Sequence, residues 1–284
     1  MSELADIISM PFFRRALVAA ALIGFTNGFV SGFVLLRRSA LSLGALSHTM
    51  LPGIVLVVLV TGALTQAGAF IGSMIAALMV GLGSMIVSRG NKIPQGTALA
   101  IFYTTAFALG MVMLEYVATG EDLEGWLFGS ILSVGDTDLY VFFGIAAVTL
   151  LGSTLFMRPL LLTLFEPNVA VVQGVPVKLV NYFLFTLMVM ALMASFQAVG
   201  AVLSIGLLVV PGAIVAMFTN STRWLFRGGG LVGSICAVIA VLLSVLLNIP
   251  TGPAIVVVLG GLFLISYIIS PGSGLRKALA TQGS

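Results

Sequence analysis

The chain alternates long apolar blocks with short polar punctuation, and the blocks have the length that a bilayer demands. A hydrocarbon core about 30 Å thick needs about 20 apolar residues of helix. Blocks of that order run over Ala16–Leu36, Ser42–Leu64, Ala67–Ser88, Gln95–Val117, Leu139–Met157, Val180–Gln197, Gly200–Phe218, Gly228–Asn248 and Pro253–Ile269. The pattern predicts an all-α membrane protein, a polytopic bundle of about nine transmembrane helices. An eight-span arrangement, with one early segment re-entrant, is the alternative. Trp126–Val134 is too short to cross and reads as an interfacial or dipping segment. The links Thr61–Gly68, Ala198-Val199 and Asn248–Gly252 are short and uncharged, which predicts tight helical hairpins.

One stretch breaks the rhythm. Arg158–Asn181 lies between two apolar blocks, and its middle, Phe165 to Lys178, looks soluble. Glu166-Pro167 predicts a helix start, because proline at the first helical position loses no hydrogen bond. Asn168 to Gln173 supply barely two turns, with Val169 and Val172 three apart. Gly174 suits a C-terminal cap and Pro176 prevents continuation. The stretch reads either as a short capped docking knob or as a solvated inter-helix loop.

Composition supports the class. Hydrophobic residues make up 60% of the chain and charged residues 7%, whereas a soluble domain carries about 25% charged residues. The net charge of +3 comes from basic residues placed singly or in pairs, so the chain has no nucleic-acid footprint. The lone cysteine, Cys236, allows no intrachain disulfide and reads as packing. The spans are rich in small residues, with Gly24, Gly28 and Gly32 four apart on one face, a pattern that lets helices approach closely in lipid.

The basic residues also predict an orientation. With the Arg158–Asn181 stretch in the cytoplasm, Arg37, Arg38, Arg89, Lys92, Arg158, Lys178, Arg223, Arg227, Arg276 and Lys277 all fall inside, and Arg14 and Arg15 fall outside. The N-terminus is then external, as is the acidic loop Glu121–Glu124.

Little in the chain can carry chemistry. His48 is the one histidine in 284 residues. Pro52, four residues later, has no N–H to give to the carbonyl of His48. In a helix, that pairing offers an imidazole and a freed backbone oxygen together. Such a pair suits zinc, manganese or ferrous iron, and broken helices with freed carbonyls coordinate cations in several transporters. The plainer account is a histidine satisfied by a neighbouring hydroxyl, with Pro52 only kinking the helix. Pro211 repeats the device and would free the carbonyl of Leu207. Ser195, Gln197 and Ser204 nearby read as interhelical hydrogen-bond partners or as a polar lining. No lysine follows the glycine pattern of a P-loop, and there is no HExxH or carboxylate cluster. A conduit fits these residues better than an enzyme.

Six motifs then carry a resemblance in order: LLRRSALSLGALSHTMLPG, TALAIFYTTAFALGMVML, DLEGWLFGSIL, FEPNVAVVQGVPVKLVN, SFQAVGAVLSIGLLVVPGAI and IPTGPAIVVVLGG. Over roughly Arg15 to Ser270 the chain resembles the membrane permease of ABC importers for divalent metals, the zinc, manganese and iron uptake systems. The resemblance implies an architecture related to the cobalamin and iron-siderophore importer permeases. It also implies two permease copies around a pore, a cytoplasmic ABC ATPase dimer that binds the ATP, and an extracytoplasmic metal-binding protein in a bacterial inner membrane. No permanent cofactor is implied; the divalent metal is cargo. Phe165, Glu166, Pro167, Val169, Val172 and Gly174 then match the coupling helix that docks on the ATPase. His48 becomes the metal ligand, Pro52 and Pro211 the helix breaks along the path, and Arg14 and Arg15 lie where the binding protein would dock. Two positions depart from the family pattern, which usually carries an acid where Gly44 and Gly96 stand. A same-fold permease for a metal chelate or cobalamin is the nearest alternative. A self-sufficient secondary carrier or membrane enzyme is the more distant one.

Overall fold

A computed structural model describes residues 10–63, 65–90, 92–117, 131–200 and 204–270. Within them the chain forms helices α1 (Pro11–Arg37), α2 (Ala40–Ser47), α3 (Met50–Thr61), α4 (Gln66–Gly90), α5 (Gln95–Leu114) and α6 (Asp136–Leu155). There follow α7 (Met157–Phe165), α8 (Pro167–Val172), α9 (Val177–Val199), α10 (Ser204–Ala216), α11 (Thr222–Leu247) and α12 (Thr251–Ile269). A single 3-10 turn spans Ile131–Ser133, and no strand occurs among the described residues.

The centre of the bundle is an antiparallel crossing of α1 and α11. Gly24 faces Gly233, Gly28 faces Gly229, and Gly32 faces the ring of Phe226. A methyl group added at Gly24 would stand 2.5 Å from the Gly233 carbonyl oxygen, and one at Gly32 would stand 2.8 Å from the Phe226 ring. Lipid gives helices no hydrophobic reason to associate, so dispersion across such close backbones supplies the attraction. The four-residue glycine spacing in the sequence is thus a packing seam. Its strength shows in burial: 72% of the most apolar window of α1 is buried, against 17% for α5 at the perimeter. Buried polar groups on α1 are satisfied locally, as a bilayer requires. Thr26 Oγ1 donates to the Leu22 carbonyl at 2.8 Å, and Asn27 Nδ2 donates to the Ile23 carbonyl at 3.1 Å. Ser195 Oγ donates to the Leu192 carbonyl at 2.7 Å and lies 3.5 Å from Asn27 Oδ1, joining α9 to α1 as interhelical glue.

Contacts sort the helix ends into two sets. At one end the Arg15 guanidinium pairs with Asp136 at 2.7 Å, tying the starts of α1 and α6. At the other, Arg37 Nη1 donates to the Asn181 carbonyl at 3.4 Å, and the Arg89 guanidinium lies 4.5 Å above the Tyr182 ring. The ends of α1 and α4 therefore gather around the start of α9. The antiparallel α1–α11 seam puts the start of α11 there too, and Ser270 Oγ donates to the Met217 carbonyl at 3.3 Å, bringing the ends of α10 and α12 together. The described residues consequently run back and forth nine times: α1, α2 with α3, α4, α5, α6, α9, α10, α11 and α12.

Eight of these passes are long and apolar enough to cross a membrane, one fewer than the nine expected full spans. The exception is α10, expected over Gly200–Phe218 and found as 13 residues, Ser204–Ala216. At 1.5 Å per residue it covers about 20 Å, two thirds of the hydrocarbon thickness. The short pass is the seventh rather than an early one, and α10 packs against α1, α11 and α12.

Arg37, Arg38, Arg89, Lys92, Arg158, Lys178, Arg223 and Arg227 all belong to the Asn181 end, and Arg14 and Arg15 to the opposite one. Arg276, Lys277, most of Trp126–Val134 and the acidic loop Glu121–Glu124 lie outside the described residues. The basic residues of the described chain thus gather at the Asn181 end.

The α1–α11 seam has a direct test. Gly28→Ala drives a methyl group into the Gly229 carbonyl, with backbone on both sides and nothing free to yield. It is expected to cost about 1–3 kcal/mol or more, read as a lowered unfolding temperature of the purified chain. Gly144→Ala, where an added methyl meets nothing within 4 Å, is expected to be neutral.

Candidate metal path and coupling element

The second pass is broken where its one ionisable side chain sits. The segment expected as a single helix over Ser42–Leu64 is α2 and α3, with His48 and Thr49 between them. Hydrogen bonding explains the break. The His48 N–H bonds back to Ala45 at 3.3 Å and the Thr49 N–H to Leu46 at 3.0 Å, both tightened by one residue relative to an α-helix. Pro52 brings no donor, and the next N–H, that of Gly53, bonds to the Thr49 carbonyl at 3.4 Å. Among the described residues no backbone donor reaches the carbonyl of His48. Ser47 and Thr49 turn their hydroxyls onto the carbonyls of Gly44 and Leu46, both at 2.6 Å, which secures the two ends of the break.

The imidazole of His48 is exposed on the protomer and has no hydrogen-bond partner among the described residues. Its neighbours are aromatic. The Tyr103 ring lies 6.0 Å away at 28°, and the Phe107 ring 6.1 Å away at 78°. These two residues stand one turn apart on α5, on the least buried of the long helices. Gly110, one turn further on, lets α5 meet the break closely, since a methyl there would lie 2.8 Å from the Pro52 Cα. The account of His48 as satisfied by a neighbouring hydroxyl does not match this geometry.

The two glycines that depart from the family pattern differ in their surroundings. A methyl at Gly44 would stand 2.6 Å from Ile205 Cδ1, so the position faces α10 and is filled by a flexible aliphatic tip. Gly96, at the start of α5, has nothing within 4 Å of such a methyl. Among the described residues no three His, Cys, Asp or Glu side chains come together as a metal cluster. Pro211 lies inside α10, buried with Leu207 and Gly212, and Gly212 abuts Ser31 of α1.

The Arg158–Asn181 stretch folds into two short helices and the start of a third. Arg158 sits in α7, which turns Leu160 and Thr163 inward. Glu166 is the N-cap of α8 and Pro167 its first residue. Gly174 takes the left-handed conformation at φ +75°, its N–H bonds to Val171 at 3.0 Å, and the Val175 N–H reaches back to Ala170 at 2.9 Å. This is a glycine-terminated cap in which only a residue free of Cβ strain sits comfortably. Ala170 anchors the helix inward with no exposed surface, while Val172 is 87% and Phe165 55% exposed. Val169, expected to share the outward face with Val172, is the more covered of the two. A small apolar knob thus projects at the basic end, packed inward through Ala170 and against α7 and α9, with Phe165, Val171 and Val172 exposed.

Arg14 and Arg15 lie in the first turns of α1 at the opposite end, with Arg15 engaged by Asp136. Gln197 and Ser204, read from sequence with Ser195, fall at the junction of α9 and α10. Tyr103, Phe107 and Gly110 escaped residue-by-residue reading, although they lie in a quoted motif. Aromatic and small residues in an apolar block carry no distinguishing signal until a partner helix is placed beside them.

A polytopic bundle with a broken helix on one exposed face and a capped knob at its basic end is the architecture of a transport permease. The chain matches the model of the ABC 3 transport family over residues 9–270, and it belongs to that family. It is 37% identical over 271 residues to the manganese transport system membrane protein MntC of Halalkalibacterium halodurans, covering 95% of this chain and 91% of that one. It is 32% identical over 267 residues to the chelated iron transport system membrane protein YfeD of Yersinia pestis, covering 94% of this chain and 88% of the other. The solved structure of PsaBC from Streptococcus pneumoniae in complex with Fab superposes with a TM-score of 0.83 at 29% identity, over 98% of this chain and 99% of that one.

Proposed function

We propose that this chain is the membrane subunit of an ATP-driven importer of divalent metal ions, with His48 a ligand in the translocation path. The observation that carries the reading is the break between α2 and α3, which leaves an imidazole and a backbone carbonyl free at the same residue. Two copies related by an axis along the pore would bring two imidazoles and two carbonyl oxygens towards one ion. Weak, incomplete coordination suits a conduit, because the ion must leave as readily as it enters. With Gly44 in place of an acid, no fixed carboxylate adds to the set. Manganese is the first ion to test, given the similarity to MntC; backbone oxygen suits it, as imidazole suits zinc and iron. A chelated-iron cargo is the second reading, favoured by the similarity to YfeD.

The chain has no nucleotide-binding motif, so ATP energy must arrive by contact from a separate cytoplasmic ATPase dimer. The exposed apolar side chains of Phe165, Val171 and Val172 at the basic end suit α8 for that contact, inside a coupling loop over Arg158–Asn181. An extracytoplasmic metal-binding protein would deliver the ion at the Arg14–Arg15 end. The bacterial sources of the relatives favour a bacterial inner membrane as the location.

Two measurements test the proposal. At matched membrane levels, His48→Ala is expected to lower manganese accumulation in cells at least tenfold, with His48→Gln retaining a little. Accumulation equal to the parent chain returns His48 to packing, and loss of manganese uptake with retained uptake of chelated iron favours the second reading. Val172→Glu places a charge on the knob and should remove about 1.5–3 kcal/mol of docking burial. Metal-stimulated ATPase activity of the assembled importer should fall while the chain still inserts, and normal coupling would reduce α8 to a loop.

A further inference from the structure

A cleft of about 430 Å³ opens at the basic end. Met157 and Leu161 of α7 and Thr154 of α6 form one wall, and Phe226, Arg223 and Arg227 of α11 form the other. Its lining is mostly apolar, and Arg223 and Arg227 are its two charged residues. The arginines stand four residues apart on one face of α11, so Arg227 lies about 6 Å deeper than Arg223 along the helix. That places Arg227 inside the segment Thr222–Leu247, which is long and apolar enough to cross the membrane. The sequence pattern had put both arginines in a loop before a span beginning at Gly228. Among the described residues neither guanidinium has a carboxylate partner, and the one described carboxylate at this end, that of Glu166 before α8, pairs with neither. A guanidinium in the first turns of a membrane-length helix, beside an apolar wall, takes water, a partner or a phosphate. Trp224 in the same turn is 63% exposed, which suits the headgroup level of a bilayer.

We propose that this cleft binds an anionic phospholipid, its phosphodiester held between Arg223 and Arg227 and its glycerol and upper acyl chain against Met157, Leu161 and Phe226. Free phosphate has no use for the apolar wall, and an acidic peptide brings no acyl chain for Met157, Leu161 and Phe226. A lipid offers both chemistries at the right depth. Because α7 forms one wall and runs directly into α8, the bound lipid braces the segment that carries the knob. The inference needs only that the chain crosses a bilayer, and it stands apart from the metal reading.

The probe is dibrominated phosphatidylglycerol in phosphatidylcholine bilayers, read by quenching of tryptophan fluorescence. The chain has two tryptophans, so Trp126→Phe leaves Trp224 as reporter beside the cleft. Phosphatidylglycerol is expected to outcompete phosphatidylcholine at this site by at least about fivefold, the preference one interfacial arginine supplies. In the Arg223→Gln/Arg227→Gln double variant the preference is expected to fall to none, whereas Lys92→Gln, on another part of the same basic end, should retain it. Equal quenching by both lipids in the parent chain overturns the proposal whether or not the double variant folds. So does equal loss in Lys92→Gln, which would assign the preference to the basic end at large. Relief of quenching by excess inorganic phosphate would mean that the arginines read a free anion, and it overturns the lipid assignment as well.

Discussion

Backbone contact between α1 and α11 is the interaction on which the rest of the bundle depends. Gly24, Gly28 and Gly32 on one helix and Gly229 and Gly233 on the other leave no room for a single methyl group. In water such an approach would be one of many ways to bury apolar surface. In lipid the tails are as apolar as the side chains, so closeness and internal satisfaction of polar groups have to hold the helices together. The seam fixes α1 at the centre and sets α11 antiparallel to it. That in turn puts the α6–α7 corner and the start of α9 around the arginine-rich end. Asn27 and Ser195 add a polar tie that would be costly to leave open at membrane depth.

Against this framework, in which the buried hydroxyls of Thr149 and Thr163 are left without a partner among the described residues, the break between α2 and α3 stands out as an interruption of the backbone itself. The same rule that forces Thr26, Asn27, Ser47 and Thr49 to find carbonyl partners leaves the carbonyl of His48 without a backbone donor, because Pro52 has none to give. Unsatisfied backbone at depth is tolerated where protein or a water-filled cavity covers it. The open face beside Tyr103 and Phe107 is where such a cavity would form once a second copy closes over it. On the reading proposed above, function sits where the packing rule is relaxed, and the tight seam at the centre of the bundle offsets that relaxation.

Much of the architecture was legible from hydrophobic pattern alone, because length and apolarity are what a bilayer selects. The α8 knob was legible nearly residue by residue, since Pro167 and Gly174 act through local backbone geometry. Boundaries failed where charge was taken to mean loop. Arg14 and Arg15 lie inside α1, and Arg223 and Arg227 inside α11, because long arginine stems let a helix begin before its apolar block does. The position of the break was readable from Pro52, yet its aromatic neighbours on α5 were not, since they meet His48 only through tertiary packing.

The central claim is that the His48 face closes on the same face of a second copy to form the path. Disulfide formation in native membranes tests it directly, in a chain whose own buried thiol has been removed by Cys236→Ala. His48→Cys is expected to give an oxidised dimer. Val257→Cys, on an outward position of α12 that is 73% exposed, is expected to remain monomeric under the same oxidant. A dimer through position 257 with none through position 48 would put the pore elsewhere and contradict the account.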